Sequence, residues 1–289
     1  MTQPSLLLDR LRAAGITDVV SVETVSGGLA AEAGLARLND GTTLFVKTFP
    51  DPPGDDAFAT EAEGLEALRA RGGIATPEVI VATRDLLVLE SLAPRPQDER
   101  FWADFAHALA RHHTVTRHDR FGWHRDNWLG RRRQHNAWSD DGFAFFAERR
   151  LLRWLEEPKV FAALGQAGRA QLERLCARLP EILPDAPACL VHGDLWAHNV
   201  MATADGAAAL IDPAVSYTWA EVDLAHLWTT APPAEAAGFF DLYAELTGLD
   251  RAWRERMPVI QLRQHLAVIA QFEPDWGAAE IARETLARF

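Results

Sequence analysis

The chain has 289 residues, 48% hydrophobic and 24% charged, with 41 Asp plus Glu against 29 Lys plus Arg and a formal net charge of -12. At roughly 100 to 200 residues per domain, this length holds two domains or one large core, and the composition excludes extensive disorder. The negative field argues against a dedicated nucleic-acid binder and is easier to reconcile with a cationic or amine-bearing small substrate.

Two cysteines, Cys176 and Cys189, form no CxxC pair, so a zinc ribbon, a thioredoxin-like site and a disulfide framework all lack support. Both read as buried structural thiols. The first residues, MTQPSLLLDRLRAAG, lack the charge order and apolar core of a signal peptide, and no stretch approaches the roughly 18 apolar residues that span a bilayer. The expectation is a soluble cytoplasmic protein with no nucleic-acid or membrane partner. Nothing selects an oligomeric state.

In chain order, residues 4 to 14 read as a short amphipathic helix and Val19 to Thr24 as a strand that runs into Ser26-Gly27-Gly28, where paired glycines permit a tight turn. Ala33 to Leu38 returns, Asn39-Asp40-Gly41 turns, and Thr43 to Phe49 is the next strand. Ala57 to Arg71 reads as a helix stopped by Gly72-Gly73. Val79 to Ala82 and Leu86 to Leu89 read as strands. The character changes at Glu90-Ser91-Leu92, which is followed by Pro94 and Pro96. Helical patterns then run from Asp98 to His113, Asp141 to Glu157 and Ala167 to Leu179, with an aromatic and polar loop from Phe121 to Trp138. Cys189 to Val191 leads into His192-Gly193-Asp194-Leu195-Trp196-Ala197-His198-Asn199, and Ala207 to Ile211 ends at Asp212-Pro213. Two short strands flanking a polar loop is the natural reading. Further helices cover 221–229, 234–247, 252–272 and 275 onward.

Three pieces make chemical sense together. Gly27-Gly28 precedes Lys47 on a following strand, Glu61 lies on the next helix, and Asp194, Asn199 and Asp212 cluster far downstream. Phosphoryl transfer from ATP needs a backbone cover over the phosphates, a cation for their charge and a carboxylate to hold it. It also needs oxygen ligands for magnesium and a carboxylate near the attacking hydroxyl. Each piece alone is weak; the order and spacing together are strong.

The sequence resembles the fructosamine/ketosamine kinases, within the aminoglycoside-phosphotransferase-like and protein-kinase-like kinases. The resemblance covers about Val20 to Ala279 and rests on GG near Gly27, LFVK ending at Lys47, EAEGLEAL from Glu61, FGWHRDNWLG from Phe121, QHNAWSDD from Gln134, FFAERRL from Phe145, HGDLWAHN from His192 and IDPAV from Ile211. It implies an α+β, two-lobed protein-kinase-like fold, with a small mixed β lobe at 1–93 and a larger helical lobe at 94–289. It implies ATP and Mg2+ as cofactors. Lys47 would contact the phosphates and Glu61 would pair with it, while Asp194 would be the catalytic base and Asn199 and Asp212 the magnesium ligands. Glu90, Ser91 and Leu92 would form the hinge that meets the adenine, and Trp196 would lie beside the sugar.

The acceptor implied is a free or protein-bound ketosamine, phosphorylated at its sugar 3-hydroxyl. A related kinase of aminoglycosides, choline-like alcohols or other amino sugars is the alternative, and a weakly catalytic nucleotide-binding scaffold the more distant one. His198, Asp126, Trp138, Asp140 and Asp141 are candidates for shaping the acceptor side. The chain departs from the family at Leu29-Ala30-Ala31-Glu32, at Ala197-His198, after Arg153-Trp154-Leu155 and at 216–221. None of these changes removes a phosphoryl-transfer group. His192 reads as structural, and so do His107, His112, His113 and His118.

Overall fold

The computed structural model describes residues 3–25 and 31–289, with side chains from Ser5 onward. The glycine turn at Gly27 and Gly28 lies outside the described residues. Helix α1 (Gln3–Ala13) places Leu7 and Leu11 one turn apart on a single face, where both are fully buried. β1 (Val19–Val25), β2 (Glu32–Leu38) and β3 (Thr43–Thr48) follow as antiparallel hairpins. In the β2–β3 turn, Asp40 Oδ1 accepts from the Thr42 N–H at 2.8 Å. After α2 (Ala57–Gly72) come β4 (Val79–Ala82) and β5 (Leu86–Glu90), completing a sheet of order β1-β2-β3-β5-β4 in which every neighbouring pair is antiparallel.

Strand periodicity explains how the sheet is covered. On β5, Leu86 and Val88 face α1 with Leu44 and Val46, while Leu87 and Leu89 face α2 with Phe49, Phe58 and Leu65. The strand is therefore apolar on both faces, and its four leucine and valine side chains are at most 1% exposed.

The second lobe begins with α3 (Glu99–Val115), capped by Asp98, whose carboxylate accepts from the Arg100 N–H. The hairpin β6 (Asn127–Leu129) and β7 (Arg132–Gln134) follows. α4 (Gly142–Phe146), α5 (Pro158–Ala177) and α6 (Leu179–Ile182) come next. β8 (Cys189–Val191), β9 (Val200–Ala202), β10 (Ala208–Leu210) and β11 (Ser216–Thr218) pair as β9–β10 and β8–β11. α7 (Glu221–Thr229), α8 (Phe239–Thr247), α9 (Trp253–Gln271) and α10 (Ala278–Arg288) complete the lobe. Its core is aromatic where α3 meets α8: Phe105 stacks on Phe239 at 5.3 Å between ring centres. This is the expected two-lobed α+β, kinase-like architecture.

The helix expected over Asp141 to Glu157 is broken. α4 gives way to a π turn at Ala147–Leu151 and a 3-10 turn at Leu152–Glu156. The extra residue of the π turn buries Arg150, which donates to His135 O and Asn136 Oδ1, each at 2.6 Å. α5 starts earlier than its apolar pattern predicts, with Pro158 in the first turn, because Gly165 (φ 63°) interrupts the helix and puts the pattern out of phase. β6, β7 and β11, of three residues each, are too short to show periodicity and read as loop.

Among the described residues, backbone bonds cross between the lobes at two places. Ala93 and Ala202 exchange N–H to O bonds of 2.9 Å, and the Leu210 N–H donates to Ala75 O at 2.9 Å. Among the described residues, no helix is long and apolar enough to cross a membrane.

Candidate active site

Lys47 lies on the α2 side of β3. Its Nζ donates to both Glu61 oxygens at 3.0 Å and to Asp212 Oδ1 at 2.9 Å. Burial would discharge this ammonium, but the Asp212 and Glu61 carboxylates outweigh it and hold its pKa above the ordinary lysine value. Burial pushes the Glu61 carboxyl up, against the pull of Lys47, and Asp212 adds to the push. One cation thus serves two carboxylates. An anionic ligand that drew on Lys47 would loosen its hold on Asp212, and a cation placed at Asp212 would offset that loss.

Asp212 follows β10 in the left-handed region, at φ 57°. The residue before it is tied down on both sides: the Ile211 N–H donates to Asn199 O, and Ile211 O accepts from His192 Nε2 at 2.7 Å. His192 Nδ1 in turn accepts from the Asp194 N–H at 3.2 Å. The ring is therefore neutral with its proton on Nε2, and burial lowers its pKa. His192 orients the loop, as its place in the motif suggests.

Gly193 is where this loop requires glycine. Its φ is +81°, and a Cβ would lie 2.2 Å from Ala214 O. The N–H groups of His192 and Gly193 both donate at 2.8 Å to the buried carboxylate of Asp223, on α7. Gly193 O accepts from Arg263 Nη1, on α9, at 2.6 Å. Burial pulls Arg263 down to about 10, with Asp194 and Asp223 opposing the fall. Its other nitrogen reaches Gln134 on β7, whose amide donates to Asn127 Oδ1 and Ala214 O. Loop, hairpin and the segment after Asp212 are fixed by one buried polar network.

Asp194 projects into a cavity of about 280 Å³ whose walls include Lys47, Glu61, Asn199, Asp212, Trp196, Trp128 and Trp276. Burial would raise its pKa, but a hydrogen bond from His226 and the nearby Arg263 charge lower it overall, so it is a carboxylate at neutral pH. Asn199 donates Nδ2 to Asp194 O at 2.8 Å, which turns its Oδ1 away as the remaining donor atom. Asp212 spends Oδ1 on Lys47 and keeps its second oxygen. Two oxygen donors on one cavity wall fit a hard divalent cation that takes its other ligands from phosphates and water. Among the described residues, no group of three or more His, Cys, Asp or Glu could hold a metal by itself.

The other expected site residues divide. Trp196 lines the cavity. His198 is exposed, packs against Trp196 with ring centres 4.5 Å apart and planes tilted by 38°, and is not part of the lining. Glu90, Ser91 and Leu92 lead out of β5 and also lie outside that lining; the Glu90 carboxylate accepts from the Glu78 N–H.

Asp126, Trp138, Asp140 and Asp141 are not brought to the cavity. Asp126 accepts from the Asn136 N–H at 2.9 Å and pairs with His135. Trp138 stacks on His118. Asp140 pairs with Arg120 on the surface, and Asp141 caps α4 through the Ala144 N–H. The loop that carries these residues stabilises structure elsewhere.

The FGWHRDNW segment instead grips α2. Trp123 Nε1 donates to Glu63 Oε1 at 2.8 Å, and Arg125 and Trp128 Nε1 reach Asp56 at 2.9 and 3.0 Å. At the other end of the helix, Arg71 donates to Tyr217 OH at 2.8 Å and lies over the Trp123 ring. There α2 packs so closely on α3 that a Cβ at Gly72 would overlap the His112 ring.

Sequence reasoning missed Asp223, Arg263, His226 and Gln264. Each sits on a helix, where an isolated charge or amide reads as surface. The available signal was Gln261, Arg263 and Gln264 set among the apolar residues between Met257 and Ala270.

The sequence profile of the family described as "Fructosamine kinase" matches residues 8–288. A probable ketoamine kinase of Enterococcus faecium is 31% identical over 228 residues, covering 76% of this chain and 79% of that protein. The probable ketoamine kinase YniA of Escherichia coli K12 is 34% identical over 212 residues, 71% of each. The crystal structure of a candidate fructosamine-3-kinase from Thermobifida fusca superposes with a TM-score of 0.81 at 30% identity over 94% of both chains. With the buried loop and the lysine-bridged carboxylates in place, the chain belongs to the fructosamine kinase family, phosphotransferases of kinase-like fold.

Proposed function

We propose that this protein is an ATP-dependent kinase that phosphorylates the 3-hydroxyl of a fructosamine or related ketosamine, free or protein-bound, and so destabilises the adduct and begins deglycation. The observation that carries this reading is the meeting of Lys47, Glu61 and Asp212 on one wall of a cavity that also holds Asp194 and Asn199. Lys47, fixed by Glu61, supplies positive charge for the nucleotide phosphates. Asn199 and Asp212 would hold Mg2+, which neutralises phosphate charge when bound. The hinge at Glu90 to Leu92 and the turn at Gly27 and Gly28 complete the proposed nucleotide site.

Asp194 accepts a hydrogen bond from the acceptor hydroxyl and orients its oxygen toward the γ-phosphorus. As the new P–O bond forms and the bond to the β-phosphate oxygen breaks, Asp194 takes the hydroxyl proton and ADP leaves. Trp196, Trp128 and Trp276 give the acceptor side aromatic faces, which suit a sugar ring and the cationic amine attached to it.

A MgATP-dependent screen of fructosamines, ribulosamines, aminoglycosides and choline-like alcohols tests the proposal. Turnover of the first two groups, with phosphorus NMR placing the phosphate on the 3-oxygen, supports it. Turnover only of the last two groups replaces it with a related alcohol kinase.

A further inference from the structure

Three polar side chains form a hydrogen-bonded relay that ends on Asp194. His226 comes from α7, and Gln261 and Gln264 come from one face of α9, three residues apart. His226 Nε2 lies 3.2 Å from Asp194 Oδ1, and Gln264 Nε2 donates to the same oxygen at 2.5 Å. Behind the imidazole, Gln261 Nε2 lies 3.1 Å from His226 Nδ1. An amide nitrogen only donates, so Nδ1 is the acceptor; Gln264 Nε2 also lies 3.3 Å from His226 Nε2, but the Asp194 carboxylate oxygen beside that nitrogen can only accept, so the ring proton sits on Nε2, directed at Asp194. Gln261 is 3% exposed and the His226 side chain 10%, so water cannot readily take over either role.

We infer that His226 is a positioning residue for phosphoryl transfer, with Gln261 selecting its tautomer. Together with Gln264 it fills Asp194 Oδ1 with two N–H groups and leaves Oδ2 as the oxygen that meets the acceptor hydroxyl. A carboxylate free to rotate would present either oxygen at varying depth; this one is held in a single orientation. His226 also lines the cavity, so the residue that orients the base shapes the space the acceptor enters. The inference rests on Asp194 acting as the base.

The test uses the full chain with fructosyl-lysine and MgATP. H226L should lower kcat about 10- to 100-fold while the KM for ATP stays within about twofold. H226Q, which keeps an N–H donor within reach of Oδ1, should recover most of the rate. Imidazole 15N shifts of the wild-type protein should show His226 protonated on Nε2, and Q261L should shift that balance and lower kcat. This spectrum decides the question even if H226L fails to fold. A His226 protonated on Nδ1, or an H226L enzyme of unchanged kcat beside an inactive D194N enzyme, overturns the inference and spares the Asp194 reading. Full activity of D194N overturns both. Absence of fructosyl-lysine turnover by the wild type overturns the acceptor assignment alone and leaves the tautomer to decide this one.

Discussion

Trp123 Nε1 donates to Glu63 Oε1 at 2.8 Å, joining a loop of the helical lobe to the helix that carries Glu61. Residues two apart on a helix face different sides, so Glu63 can hold the loop while Glu61 holds Lys47. The small lobe's helix is thereby fixed to the large lobe, with Lys47 and Glu61 paired at 3.0 Å.

Replacing Trp123 by Phe keeps the ring and removes the donor. W123F should cost about 1–3 kcal/mol of stability, because a carboxylate oxygen loses a hydrogen bond in a partly buried place. If the loop positions Glu61, the KM for ATP should rise several-fold with less change in the acceptor KM. Urea titration and initial rates measure both, and an unaltered ATP KM would separate the loop from nucleotide binding.

Asp223 organises the catalytic loop from beneath. Its fully buried carboxylate accepts from the N–H groups of His192 and Gly193 and from His113. In D223N an amide nitrogen would oppose one of those donors. A loss of about 3 kcal/mol or more is expected, with a fall in kcat as Asp194 loses its support. Calorimetry and kinetics should show both effects together.

Acid sensitivity should come first from buried histidine. His112 donates Nε2–H to Leu190 O at 2.8 Å, while its Nδ1 is buried without a partner. Burial, with His113 adding repulsion, pushes its pKa from 6.5 down to about 4. Between those values the unfolded chain binds the proton and the folded protein does not. Stability is therefore full above about pH 6.5 and falls as pH drops toward 4, by at most about 3 kcal/mol from this group. His265, also lowered to about 4 by burial, acts in the same direction. H112Q keeps a donor for Leu190 and should flatten the decline in urea midpoint from pH 7 to 4.5; an unchanged slope would assign it to other groups.

The sheet and the catalytic motifs were legible because each is written locally. Short apolar runs mark β3 and β5, and HGDLW with its following Asn carries the loop in eight consecutive residues, with Asp212 closing the next apolar run. What supports the loop was not legible. Asp223 and Arg263 lie 30 and 70 residues downstream of Gly193, and helix periodicity does not reveal which polar residue turns inward. Asp126, Asp140 and Asp141 show the converse: offered by the sequence as candidates for shaping the acceptor side, their carboxylates serve a loop, a surface ion pair and a helix cap.

The most direct measurement is transfer of phosphate from MgATP to fructosyl-lysine by the wild type and by D194N, followed by phosphorus NMR. The wild type should give a 3-phosphate, and D194N should lose on the order of 10² or more in kcat with ATP still bound. Equal phosphotransfer by D194N would contradict the assignment of Asp194 and with it the mechanism built around this cavity.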